Sequence, residues 1–141
     1  MITEVRDYFK AVIKTIDSDL KYDGKVGDEE EVGQTVLDRT YKIVFGQLLP
    51  ENIDSTIEST LPVTVKMYTT LRTEEVEDYD KAYCKAIDVH ALAQDKRQID
   101  QTQGLKSVEC ESILPEPIET NDKAYRFTLQ FTVKLAYKYT G

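Results

Sequence analysis

Tryptophan is missing from this 141-residue chain, histidine occurs once and cysteine twice. The missing tryptophan, beside nine tyrosines, separates no fold class. Two cysteines, Cys84 and Cys110, are too few to staple a disulfide scaffold, and a cytoplasmic compartment would keep them reduced. No run of about 18 apolar residues exists, so no membrane span is expected. The opening MITEVRDYFK lacks a basic start followed by an apolar stretch, and the reading expects no signal peptide and use in a cytoplasm. Positive charge is also scarce: 18 Lys and Arg face 26 Asp and Glu, a net charge of -8. Phosphate binding needs clustered cations, so the average surface is not built to grip nucleic acid, although it can sit beside DNA without holding it.

What is present fits one domain. A chain near 150 residues hides about 70% of its unfolded surface, and 40% hydrophobic with 31% charged residues is ordinary for a soluble globular protein. The spacing of Ile2, Val5, Phe9, Val12, Ile13 and Ile16 predicts an amphipathic helix over 3–16, capped by Thr3. Residues 18–38, with "YDGKVGDEEEVGQ" and the acidic run Asp28, Glu29, Glu30 and Glu31, read as a long, flexible, exposed loop. "RTYKIVFG" is a strand with Tyr41, Ile43 and Phe45 on one face, "QLLPENIDS" a turn region around Pro50, and "PVTVKMYTTL" a second strand. Thr73 caps a second helix with the inward stripe Val76, Tyr79, Ala82, Tyr83, Ala86, Val89, His90 and Ala93. That helix fades into "QDKRQIDQTQG", ended by Gly104. A third strand covers about 105–114, with Val108, Cys110 and Leu114 alternating against Glu109 and Glu111, and "PEPIETND" is a turn.

The last element carries the clearest pattern. In "YRFTLQFTVKLAYKY", 125–139, Phe127, Leu129, Phe131, Val133 and Leu135 alternate with Thr128, Gln130, Thr132 and Lys134. This is a half-buried strand of period two. At about 3.3 Å per residue it reaches roughly 45 Å, far beyond the usual five or six residues, which suggests that something outside the domain shares it. The odd face belongs to the core. The even face, Thr128, Gln130, Thr132 and Lys134, is placed at a subunit contact or facing a lumen. Two strands on each side of a helix give an α+β fold: a mixed or antiparallel sheet of about four main strands with two helices on one face.

Sites for chemistry are thin. Gly24, Gly27 and Gly33 sit in no strand–turn–helix frame, so no nucleotide fingerprint is read. His90 lies on an inward stripe, where a packed, hydrogen-bonded imidazole is the ordinary outcome. A zinc set from Cys84, His90 and Cys110 matches no common spacing, and Cys84 lies nearly two turns from His90, too far for a nucleophile and its base. The acidic run Asp28 to Glu31 reads as solvated, with cation binding as the alternative. Tyr125, Tyr137 and Tyr139 read as core or interface packing rather than base stacking. No cofactor and no catalytic set are expected.

The element order carries a resemblance, through "ITEVRDYFKAVIKTI", "RTYKIVFG", "PVTVKMYTTL" and the terminal strand. Over essentially the whole chain it resembles the tail terminator, or tail-to-head joining, proteins of long-tailed bacteriophages. The likeness lies in organisation, not in a motif. It implies a single tail-terminator-like domain over 1–141 that assembles with itself into a six-membered ring. Such a ring caps the tail tube protein, ends its polymerisation and offers a face to the neck or head-tail connector. DNA passes through without specific binding, no membrane is involved, and the protein belongs to the virion tail, assembled in the host cytoplasm. Open alternatives are a neck, head-completion or tail tube protein, a small α+β ligand-binding domain or enzyme, and an adaptor that adds peptides to a sheet edge.

Overall fold

A computed structural model describes residues 2–24, 39–53, 56–70, 76–118 and 124–138. They form helix α1 (Ile2–Ile16), strands β1 (Lys21–Tyr22), β2 (Thr40–Phe45), β3 (Leu49–Ile53) and β4 (Thr56–Thr70), helices α2 (Val76–Ala93) and α3 (Lys96–Asp100), and strands β5 (Leu105–Ile118) and β6 (Ala124–Lys138). The six strands make one mixed sheet in the order β1-β2-β4-β6-β5, with β3 beside β4. All pairs are antiparallel except β1 with β2. The fold is α+β, with two more strands and one more helix than the sequence pattern predicts.

The core follows from two periodicities meeting. In α1, Val5, Phe9, Val12 and Ile13 fall on one stripe and are almost fully buried. They lie on Phe127, Leu129, Phe131, Val133 and Leu135 of β6 and on Leu61, Val63 and Val65 of β4. The Phe9 and Phe131 rings stand 4.9 Å apart. α2 joins the same face through the small residues Ala86, Val89 and Ala93, which let the helix lie close. Val76, placed by the sequence on the inward stripe, is instead 70% exposed. Tyr8 Oη donates to the Ala93 carbonyl at 2.5 Å and ties the helices together. Burial, with the charge of Asp95 adding, pushes its phenol up to about 12. α1 stops at Asp17, whose side chain accepts from the Asp19 N–H at 3.0 Å and from Lys85 Nζ of α2 at 2.5 Å.

Several boundaries differ from the sequence reading, each for a local reason. α2 does not fade. Asp95 ends it by capping α3, its carboxylate accepting from the Arg97 N–H at 2.9 Å. The region around Pro50 is not a turn but β3, paired down to Ile53 opposite Thr56. β4 therefore starts six residues before Pro62. β5 runs on through Pro115 and Pro117, which an edge strand tolerates because half of its N–H groups need no strand partner.

A register shift between Cys110 and Ser112 inserts a residue into β5. Such a bulge moves every later side chain to the other face. Ile113 takes the core side, opposite Leu129, while Leu114 sits opposite Thr128 on the outer side and is 51% exposed. The predicted alternation of Val108, Cys110 and Leu114 thus breaks at the bulge.

Candidate functional site: the open face of the sheet

The helices meet the odd-numbered face of β4 and β6. Tyr79 and Tyr83 of α2 contact Phe127, and Arg6 and Lys10 of α1 lie over the Phe45 and Tyr22 rings. Among the described residues no helix packs on the even-numbered face. The four positions expected at an interface all lie there: Thr128 is 8% exposed, Gln130 and Thr132 are half-buried, and Lys134 is exposed. Gln130 Oε1 accepts from the Thr64 hydroxyl at 2.8 Å, and the Thr132 hydroxyl donates to Glu111 at 2.6 Å. Asp28, Glu29, Glu30 and Glu31 lie outside the described residues.

Register adds partners that strand periodicity alone does not reveal. One row crosses four strands: Lys42 of β2, Lys66 of β4, Thr128 of β6 and Leu114 of β5. The next row sets Thr40, Tyr68, Arg126 and Glu116 side by side. Asp23 pairs with Lys42 at 3.6 Å, and Arg126 is ion-paired with Glu116. Burial pushes the Lys66 ammonium down, against the opposing pull of Glu116. It also pushes the Tyr68 phenol up to about 12, with Asp23 adding to the rise. Lys66, Tyr68 and Thr40 are each no more than 9% exposed.

One feature of the first row works against stability. Lys42 and Lys66 lie directly opposite one another, but Asp23 pairs with Lys42 and Glu116 acts on Lys66. The Thr128 hydroxyl is shut off from solvent and has no hydrogen-bond partner. A buried hydroxyl without a partner costs about 1–3 kcal/mol.

The sheet edges differ from what strand addition requires. β6 is an interior strand, paired with β4 along its whole length and with β5 from Ala124 to Leu135. Its length is used inside the domain, where β4 and β5 have 15 and 14 residues of their own. That corrects the expectation that an outside chain shares it. The outer edge on β5 is blunted by Pro115, Pro117 and two register shifts, and β3 carries Pro50. Proline supplies no N–H, and bulges twist an edge away from a partner.

Elsewhere, a cleft of about 270 Å³ between α2 and the end of β4 includes Arg39, Asp78, Lys81 and Lys85 in its lining. Its volume is below the usual ligand-site range of about 300–1,000 Å³. Cys84 is exposed, Cys110 is half-buried on β5, and burial pushes the Cys110 thiol up, away from its reactive thiolate. Among the described residues no three His, Cys, Asp or Glu side chains gather as a metal site. Nor is any described helix long and apolar enough to cross a membrane.

No family model matches the chain, and no curated relative matches it. One solved structure, the virion of a native gene transfer agent particle, contains a chain that aligns over 94% of this one and 92% of its own length, at 10% identity and a TM-score of 0.49. A likeness of that size carries no argument about what this chain does.

Proposed function

We propose that the chain is a structural subunit of a long-tailed phage, forming a six-membered ring that caps the tail tube. The ring would end tube growth and present a face to the head-tail connector, with DNA passing through unbound and no catalysis. The observation that carries this reading is the row Lys66–Thr128–Leu114 on the even-numbered sheet face, against which no helix packs among the described residues. It sets a hydroxyl without a partner beside an exposed leucine, where stability alone would choose otherwise. Natural sequences break such rules mainly at functional sites. A neighbouring copy of this chain packed there would give the Thr128 hydroxyl a partner and Leu114 an apolar contact. With the β5 edge blunted by proline, the neighbour packs against this face instead of adding a strand there.

Sedimentation and negative-stain microscopy across concentration, with and without tube protein, test the reading. Rings, alone or on tube ends, are expected. Long self-assembled tubes would identify a tube subunit, and rings that bind only the connector a neck protein. A strict monomer that binds neither removes the proposal.

A further inference from the structure

Gln94, just past the C-terminus of α2, uses its whole amide. Its Oε1 accepts from the Cys110 N–H at 3.0 Å, at the start of the β5 bulge. Its Nε2 donates to the His90 carbonyl at 2.9 Å and lies 2.9 Å from His90 Nδ1. Two backbone groups of opposite kind therefore set which end of the amide points where: a carbonyl needs the NH₂ and an N–H needs the oxygen. With the amide so oriented, Nδ1 must accept, and the proton of the neutral imidazole is on Nε2. Among the described residues this clamp is the side-chain hydrogen bond that reaches from the α2 region to the bulge.

We propose that protonation of His90 opens the Gln94 clamp, so that the attachment of α2 to the β5 bulge is sensitive to pH. Charging the ring puts an N–H on Nδ1, facing the NH₂ of Gln94. Turning the amide over to offer its oxygen would set its NH₂ against the Cys110 N–H and its oxygen against the His90 carbonyl. Either arrangement leaves donors facing donors, and withdrawing the side chain leaves Cys110 N–H without its partner.

The groups around the imidazole do not supply a substitute. On β5 the facing group is Cys110, while Glu109 and Glu111 belong to the far face, where Glu109 lies opposite Thr132 and Glu111 accepts from the Thr132 hydroxyl. α1 meets the other flank of α2, through Tyr8 on Ala93 and Asp17 on Lys85. α3 brings Lys96, Arg97 and Asp100, with Arg97 held by Asp95. On its own helix the adjacent turns bring Ala86, Ile87, Ala93 and Gln94, none of them charged.

The test is a pH titration of the full chain followed by NMR. His90 is the chain's single histidine, so its ring signals are unambiguous. The Cys110 backbone amide and the Gln94 side-chain amide should shift with the same midpoint as the ring. Cys110 exchange, corrected for its intrinsic pH dependence, should quicken about tenfold on the acid side, as the loss of one hydrogen bond allows. His90→Asn should abolish the coupled shift. Gln94→Glu should reverse it, because a carboxylate accepts from both the charged ring and the Cys110 N–H. Amide signals that stay fixed while the ring titrates would mean that the imidazole turns aside and the clamp holds, which overturns the proposal. So would an unchanged pH response in His90→Asn.

Discussion

Replacing Thr128 with Val tests the open face at its centre. The two side chains have nearly the same shape, and both are β-branched, so strand preference and rotamer are kept. Only the hydroxyl is lost. That hydroxyl has no partner and the residue is 8% exposed, between Lys66 on one side and Leu114 on the other. Removing an unsatisfied buried hydroxyl recovers part of a penalty of about 1–3 kcal/mol. Taken at its low end, that recovery should make the variant more stable by about 1 kcal/mol. In urea, with a slope of roughly 2 kcal/mol per molar, the midpoint should rise by about 0.5 M at unchanged slope. Thr128→Ser, which keeps the hydroxyl and loses the methyl, should not rise. The same Thr128→Val protein should form rings less readily, since a neighbour loses the group it would satisfy. A lowered midpoint would show that the hydroxyl already has a partner within the single chain. A raised midpoint with unchanged assembly would remove this hydroxyl from the contact.

Three further outcomes follow from the same structure. Phe131→Ala should cost about 3–5 kcal/mol, because the ring is 1% exposed and stacked near Phe9; a loss under about 1 kcal/mol by urea denaturation would place it outside the core. Thr132→Glu sets a carboxylate beside Glu111 on the open face, so it should lower monomer stability by no more than about 1 kcal/mol while weakening ring formation in sedimentation; normal assembly would contradict the face assignment. Burial alone would raise the Asp17 carboxyl, but hydrogen bonds from Lys85 and the Asp19 N–H, with the charges of Lys85 and Arg39, hold it below its ordinary value. Its contribution is therefore present above the unfolded carboxyl's range and lost as pH falls through the depressed folded value. With Lys85 44% exposed, Asp17→Asn should cost only about 1 kcal/mol at neutral pH, shrinking toward zero as pH falls through the depressed folded value. A deficit that persists undiminished in acid would remove the ion pair as its cause.

Legibility in the sequence tracked how locally each feature is determined. α1 and β6 were readable because every turn or pair of residues repeats the same demand, and Phe131 and Thr132 fall on opposite faces by alternation alone. Leu114 was misplaced because a bulge changes parity without leaving a composition signal. The extension through Pro115 and Pro117 was hidden because proline marks a turn unless the strand is known to be an edge. α3 was missed because five residues carry no helical stripe; the signal was Asp95 as a cap. On the open face, Thr128, Gln130, Thr132 and Lys134 were visible as the polar half of β6. Lys66, Tyr68 and Glu116 needed strand order and register, which long-range pairing sets.

The placement of charge on the two faces of the sheet gives the last step. On the helix side, the cations Arg6 and Lys10 lie over aromatic rings, and Lys85 meets Asp17 in a geometry that favours both partners. On the open side, burial pushes the Lys66 ammonium down while Glu116 pulls it up, in a row that ends in the exposed Leu114. Lys42 of the same row already has Asp23 at 3.6 Å, so what the row leaves unmet is the Thr128 hydroxyl and the apolar surface of Leu114. A core would replace that hydroxyl with an apolar group, and a solvated face would wet it. A hydroxyl without a partner beside an exposed leucine is suited to being covered by a surface that supplies a hydrogen-bond acceptor and an apolar contact. The β5 edge, interrupted by proline, offers no comparable attachment. An assembly built through this face would therefore depend on side-chain identity at Thr128 and Leu114.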